Sequence, residues 1–165
     1  GGGLATEEEH PQGTRWVHRA CPVLKGLRIV APVAVELMEC SVQDSTRNGI
    51  FLSGASANLT MRGGAVRNAG DAGIWAFTGA NAALHGVVVD GCRGYGAYCS
   101  DATFEMEGGA LRNANSDGLW MQGGSRSKAI VRPPHSYLLH YFATAAVMIS
   151  LRPNAMFTVC HSYGA

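Results

Sequence analysis

Phe51, Trp75, Tyr98 and Trp120 each stand two residues after a glycine, namely Gly49, Gly73, Gly96 and Gly118. These four aromatics are the candidate binding residues. An aromatic ring offers a broad apolar surface at little cost in side-chain entropy, which suits both a sugar ring and a partner protein. A strip of them would equally serve as a seat for a tail or flanking segment, since large exposed apolar patches are uncommon. A second column, Gln43, Arg67, Asp90 and Arg112, alternates in charge and is expected to pair from one copy to the next. A third, Arg62, His85 and Glu107, joins a possible base, an acid and an arginine. An active site carries such a mixture, and so does a solvated turn.

Hydrolytic chemistry on sugars calls for two carboxylates facing one bond. Asp90, Asp101, Glu105 and Asp117 fall on different faces of the expected structure, and no adjacent Asp pair occurs. The same spread is poor for calcium, which wants several oxygens at one point. The chain contains no phosphate-binding loop, nucleophile elbow, metal motif or dinucleotide fingerprint. No catalytic residue, metal or cofactor is therefore assigned.

The elements that would position these side chains are set by a repeat. The four glycines are 24, 23 and 22 residues apart. Seven residues before each lies Val42, Val66, Val89 or Leu111, and five before lies Asp44, Asn68, Gly91 or Asn113. A period of this length signals a solenoid. Alternation divides each copy into three short strands. The first points Val35 and Leu37 inward, then Leu59 and Met61, Ala82 and Leu84, Phe104 and Met106. The second points Cys40 and Val42, Gly64 and Val66, Val87 and Val89, Gly109 and Leu111. The third points Ile50 and Leu52, Ile74 and Ala76, Ala97 and Cys99, Leu119 and Met121. The four aromatics lie between two inward positions of the third strand and so face outward. Asp44, Asn68 and Asn113 are expected to stack as a polar ladder at a left-handed turn, which Gly91 interrupts.

Composition agrees with short strands and tight turns. Of 165 residues, 22 are glycine and only 15% are charged. The net charge of +1 provides no field for nucleic acid or an anionic membrane, so neither is expected as a partner. The five cysteines include no C-x-x-C pair, and free buried thiols in a reducing compartment are the expectation. No signal peptide is visible in Gly1–His10, which leans the compartment toward the cell interior.

The unit V-x-N-x-x-x-x-G-I, as in Val66-Arg67-Asn68 followed by Gly73-Ile74, resembles the parallel β-helix repeat of the right-handed β-helix, or pectin-lyase-like, superfamily. The resemblance runs from about Val35 to Gly124. It implies an all-β fold, a short right-handed parallel β-helix of about four coils. Members include polysaccharide lyases and hydrolases, phage tail spikes, and β-helices that recognise substrates for ubiquitin ligases. The superfamily's G-H-G element is absent, because His85-Gly86 lacks a preceding glycine. Arg126-Ser127-Lys128 resembles its R-x-K element in outline.

Three regions follow. Residues 1–24 read as a disordered tail or linker, with Glu7, Glu8 and Glu9 together. Residues 25–125 carry the repeats. Residues 126–165 lose the period, and their apolar stretch Ser136–Leu151 is either a capping helical segment or an unrelated tail. It is too short for a membrane span. The functional expectation is a non-catalytic binding or scaffold module that contacts a protein or polysaccharide through a lateral face. The alternative is a carbohydrate-active enzyme, lyase or glycoside hydrolase, or a fragment of one.

Overall fold

The computed structural model describes residues 15–123 and 127–132, together with the backbone of three later strands at 139–144, 148–151 and 157–159. The chain winds as an all-β parallel solenoid of about five turns, built on three sheets. The first sheet stacks β1 (Arg15–Arg19), β3 (Ala34–Met38), β6 (Asn58–Arg62), β9 (Asn81–His85), β12 (Thr103–Glu107), β15 (Lys128–Arg132) and β17 (Met148–Leu151). The second stacks β4 (Ser41–Gln43), β7 (Ala65–Arg67), β10 (Val88–Asp90) and β13 (Ala110–Arg112). The third stacks β2 (Leu27–Val30), β5 (Ile50–Ser53), β8 (Ile74–Phe77), β11 (Ala97–Ser100), β14 (Leu119–Gln122), β16 (Leu139–Thr144) and β18 (Phe157–Val159). Each strand hydrogen-bonds to its counterpart one turn away, about 4.8 Å along the axis.

The alternation read from sequence is the alternation found. Leu37, Leu59, Met61, Leu84 and Phe104 from the first sheet are buried. So are Val42, Val66 and Val89 from the second, and Ile50, Leu52, Ile74, Leu119 and Met121 from the third. Register places like on like: Leu37 opposes Met61, and Met61 opposes Leu84. Burying each such side chain contributes about 1.5–3 kcal/mol, and this core is what makes three-residue strands stable. Leu111 is only half-buried, packed at the margin of the core.

Two kinds of glycine and asparagine position shape the turns. Asp44, Asn68, Gly91 and Asn113 all have positive φ, from 53° to 69°, where asparagine and glycine are tolerated best. Asn68 Nδ2 donates to Asp44 Oδ1 at 3.0 Å. Above the Gly91 gap, Asn113 Nδ2 donates instead to Asp90 Oδ1 at 2.7 Å. The repeat-keying glycines serve a different need. A Cβ on Gly49 would lie 2.7 Å from the Gly73 carbonyl oxygen, and one on Gly96 2.5 Å from that of Gly118. These positions are glycine because adjacent turns touch there, backbone to side chain and backbone.

The solenoid extends past both boundaries expected from sequence. Arg15–Arg19, within the stretch read as a tail, is strand β1 and pairs with β3 from Arg15↔Ala34 to Arg19↔Met38. After the expected last repeat, β15 adds another rung, with Ala129 and Val131 buried. The count of about four coils thus becomes about five. The C-terminal helical segment has no counterpart among the described residues, where Leu139–Thr144 and Met148–Leu151 are strands that prolong the third and first sheets. The rest of that segment, and residues 1–14, lie outside the described residues. Cys21 and Cys40 were expected as free thiols and instead form a disulfide, with Cα atoms 5.1 Å apart. Cys92 and Cys99 are free and buried, as expected.

Candidate functional site

The third sheet's outer face carries the aromatic column. Register sets Phe51 opposite Trp75, Trp75 opposite Tyr98, and Tyr98 opposite Trp120. All four rings are half-buried. Arg28 occupies the rung before Phe51, with its guanidinium 5.2 Å from the ring centroid. Such a contact is worth about 0.5–1 kcal/mol at an exposed position.

The column is not one uniform strip. Trp75 and Tyr98 stack face to face, 4.3 Å between centroids and 27° between planes. The stack covers one face of each of these two rings. Tyr95, from the preceding loop, packs at 5.3 Å from Tyr98 and 5.6 Å from Trp120. Phe51 turns aside to meet Phe77 edge-on at 5.2 Å. Tyr98 Oη donates to Gln122 Oε1 at 2.6 Å, so its hydroxyl is engaged. Burial is the main cause that pushes the Tyr98 phenol above its usual range.

Where Phe51 leans away, the surface opens into a groove of about 360 Å³, lined by Phe51, Trp75, Phe77 and Tyr98 with Arg47, Asn48, Asp71 and Ser100. Arg47 and Asp71 come from the loops that connect the second sheet to the third. Asp71 N donates to Arg47 O at 3.0 Å, which sets one loop directly on the other. Asn48 Oδ1 accepts from Ala72 N at 3.3 Å, leaving its amide nitrogen as the available donor. Sequence reasoning identified three of these eight residues. Arg47, Asp71 and Gly94 share the position two before the repeat glycine, and that column was the signal that would have shown the polar side of the groove.

The other candidate columns are structural. On the second sheet, Arg112 Nη2 lies 2.9 Å from Asp90 Oδ2, which is the expected pairing between turns. The hydrogen bond from the Asn113 amide is the largest cause holding the Asp90 carboxyl below its usual range; burial opposes it, and Arg112 adds to the lowering. On the first sheet, Arg62, His85 and Glu107 come into register, with His85 Nδ1 3.5 Å from Glu107 Oε2. Glu105 pairs with Arg132 at 2.5 Å, and Glu36 pairs with Arg15 and Arg62. Asp101 lies in a turn between the third and first sheets and Asp117 in a loop before the third, so the acids remain dispersed. Arg126 is outside the described residues. Ser127 is buried, its Oγ donating to the Gln122 carbonyl at 2.7 Å. Among the described residues no three His, Cys, Asp or Glu side chains gather to hold a metal ion, and no helix is long and apolar enough to cross a membrane.

The family model described as "Right handed beta helix region" matches residues 24–132. The chain belongs to this right-handed β-helix family. Searches of curated proteins and of solved structures find no match. Membership of the β-helix family accounts for the register, the stacked turns and the inward columns. It does not select among the family's functions. The groove on the third sheet belongs to this β-helix through its own residues, since Arg47, Asp71 and Phe77 are not dictated by the repeat.

Proposed function

We propose that this β-helix is a non-catalytic binding module that holds a glycan against the outer face of the third sheet. The observation that supports this reading is the groove beside Trp75, where aromatic walls meet polar side chains on a rigid frame. The C–H face of a sugar ring packs on an aromatic wall, while its hydroxyls need donors and acceptors at the rim. Strands and stacked loops hold those groups in place, so little ordering entropy is lost on binding. A catalytic reading has less support. The carboxylates of the first and second sheets that face solvent are engaged by Arg15, Arg62, Arg112, Arg132 and His85.

The test is a glycan array probed with the full chain, followed by titration calorimetry on whatever binds. Trp75→Ala should abolish binding without altering the circular dichroism spectrum. Binding that survives Trp75→Ala, or release of new reducing ends from the bound glycan, would contradict the proposal.

A further inference from the structure

The groove's carboxylate differs in its use from the strand carboxylates of the other two sheets. On the other two sheets Glu36, Asp90, Glu105 and Glu107 each have a basic partner one rung away. In the groove, among the described residues, neither the Asp71 carboxylate nor the Arg47 guanidinium makes an ion pair or a side-chain hydrogen bond, and the two do not pair with each other. Gly94 helps hold this arrangement open. A Cβ there would lie 2.5 Å from Asp71 Oδ1, so any side chain at 94 would displace the carboxylate. A half-buried anion and an exposed cation, unpaired among the described residues, stand beside an aromatic wall.

We infer that the ligand is a neutral glycan and that Arg47 and Asp71 select it over acidic sugars. This rests on the glycan-binding reading above. A sugar hydroxyl both donates and accepts. An uncharged ring can therefore donate to Asp71 and accept from Arg47 while its apolar face rests on Trp75. The groove's own charges sum to zero, so a neutral ligand leaves no charge uncompensated. A uronate would satisfy Arg47 but bring a second carboxylate toward Asp71, and like charges at that range oppose binding. Tyr98 adds only its ring, because its hydroxyl is held by Gln122. Ser100 and the Asn48 amide nitrogen complete the polar rim.

The experiment is calorimetric titration of the full chain with neutral hexasaccharides (β-1,4-glucan, β-1,3-glucan, xylan and mannan) and with oligogalacturonates and oligoalginates of the same length. The best neutral ligand should bind at least tenfold more tightly than any uronate, on the basis that a hydrogen bond to a charged group discriminates by about tenfold or more. Asp71→Asn and Arg47→Gln should each weaken that ligand about tenfold, and Asp71→Asn should also narrow the gap to the uronates by removing the repulsion. Equal or tighter binding of a uronate would overturn the inference while leaving glycan binding intact. So would Asp71→Asn and Arg47→Gln variants that bind like the parent. No binding to either sugar class would overturn this inference and the glycan-binding proposal together.

Discussion

Gly73→Ala is expected to destabilise the solenoid severely, although alanine is normally a mild replacement. Gly73 does not have positive φ, so its backbone would accept a side chain. Space is the obstacle. A Cβ there would sit 2.4 Å from Val89 Cγ1, 2.7 Å from the Gly96 carbonyl oxygen and 3.0 Å from Cys92 Sγ. Overpacking a core costs about 1–3 kcal/mol. Here the rungs must also part, straining the bonds from Gly73 N to Tyr95 O and from Ile74 N to Gly96 O, at 2.9 and 3.0 Å. Each such bond contributes about 0.5–1.5 kcal/mol net. The sum is roughly 2–6 kcal/mol, or a fall in melting temperature of roughly 5–20 °C for a chain of this size. Gly86→Ala is the control. Its φ is +65°, but nothing lies within 4 Å of the added carbon. The left-handed penalty of about 1–2 kcal/mol is partly offset by the lower entropy of the unfolded chain, leaving about 1 kcal/mol. Thermal melts followed by circular dichroism compare the two. Equal shifts, or a larger one for Gly86→Ala, would refute the claim that the repeat glycines exist for contact between turns.

Three more outcomes are expected. Reducing Cys21–Cys40, which spans a sequence separation of 19, should cost about 3 kcal/mol on a loop-entropy model, and hydrogen exchange should rise first in residues 15–40 because solenoid turns couple mainly to their neighbours. Burial pushes the Cys99 thiol far above its usual range and that of Cys92 upward as well, so iodoacetamide at pH 8 should label neither by mass spectrometry until the chain is denatured; labelling in the native protein would contradict their burial. The depressed Asp90 pKa contributes stability that is present above its unfolded value and lost as pH falls through the folded one, so Asp90→Asn should reduce the loss of stability between pH 5 and pH 3, by less than about 1 kcal/mol for this exposed pair, seen as a smaller drop in melting temperature.

The fold was legible because the solenoid writes itself into sequence repeatedly. Leu37, Met61 and Leu84 take one inward place in three turns, and each copy confirms the others. Where only one copy of the evidence existed, the reading stopped short. Strand β1 has Trp16 and His18 at inward registers, but His18 remains exposed and no earlier turn supports the pattern. Strand β15 follows a connection that breaks the glycine spacing. The disulfide joins cysteines from consecutive turns, a proximity that becomes visible only once the rungs are aligned. The aromatic column was legible as a column, because outward positions alternate with buried ones. Its geometry was not: sequence does not show that Tyr98 lies flat on Trp75 or that Phe51 turns toward Phe77. The polar rim was missed because Arg47 and Asp71 sit in loops without alternation, where residue type is not set by the repeat.

Nuclear magnetic resonance mapping on the isotope-labelled full chain tests the central claim most directly. On addition of the tightest-binding neutral oligosaccharide, amide and indole shifts should change at Arg47–Phe51, Asp71–Phe77 and Tyr98–Ser100, with the first sheet silent. Changes centred instead on Glu36, His85, Glu105 and Glu107 would place the ligand on the first sheet and contradict the account.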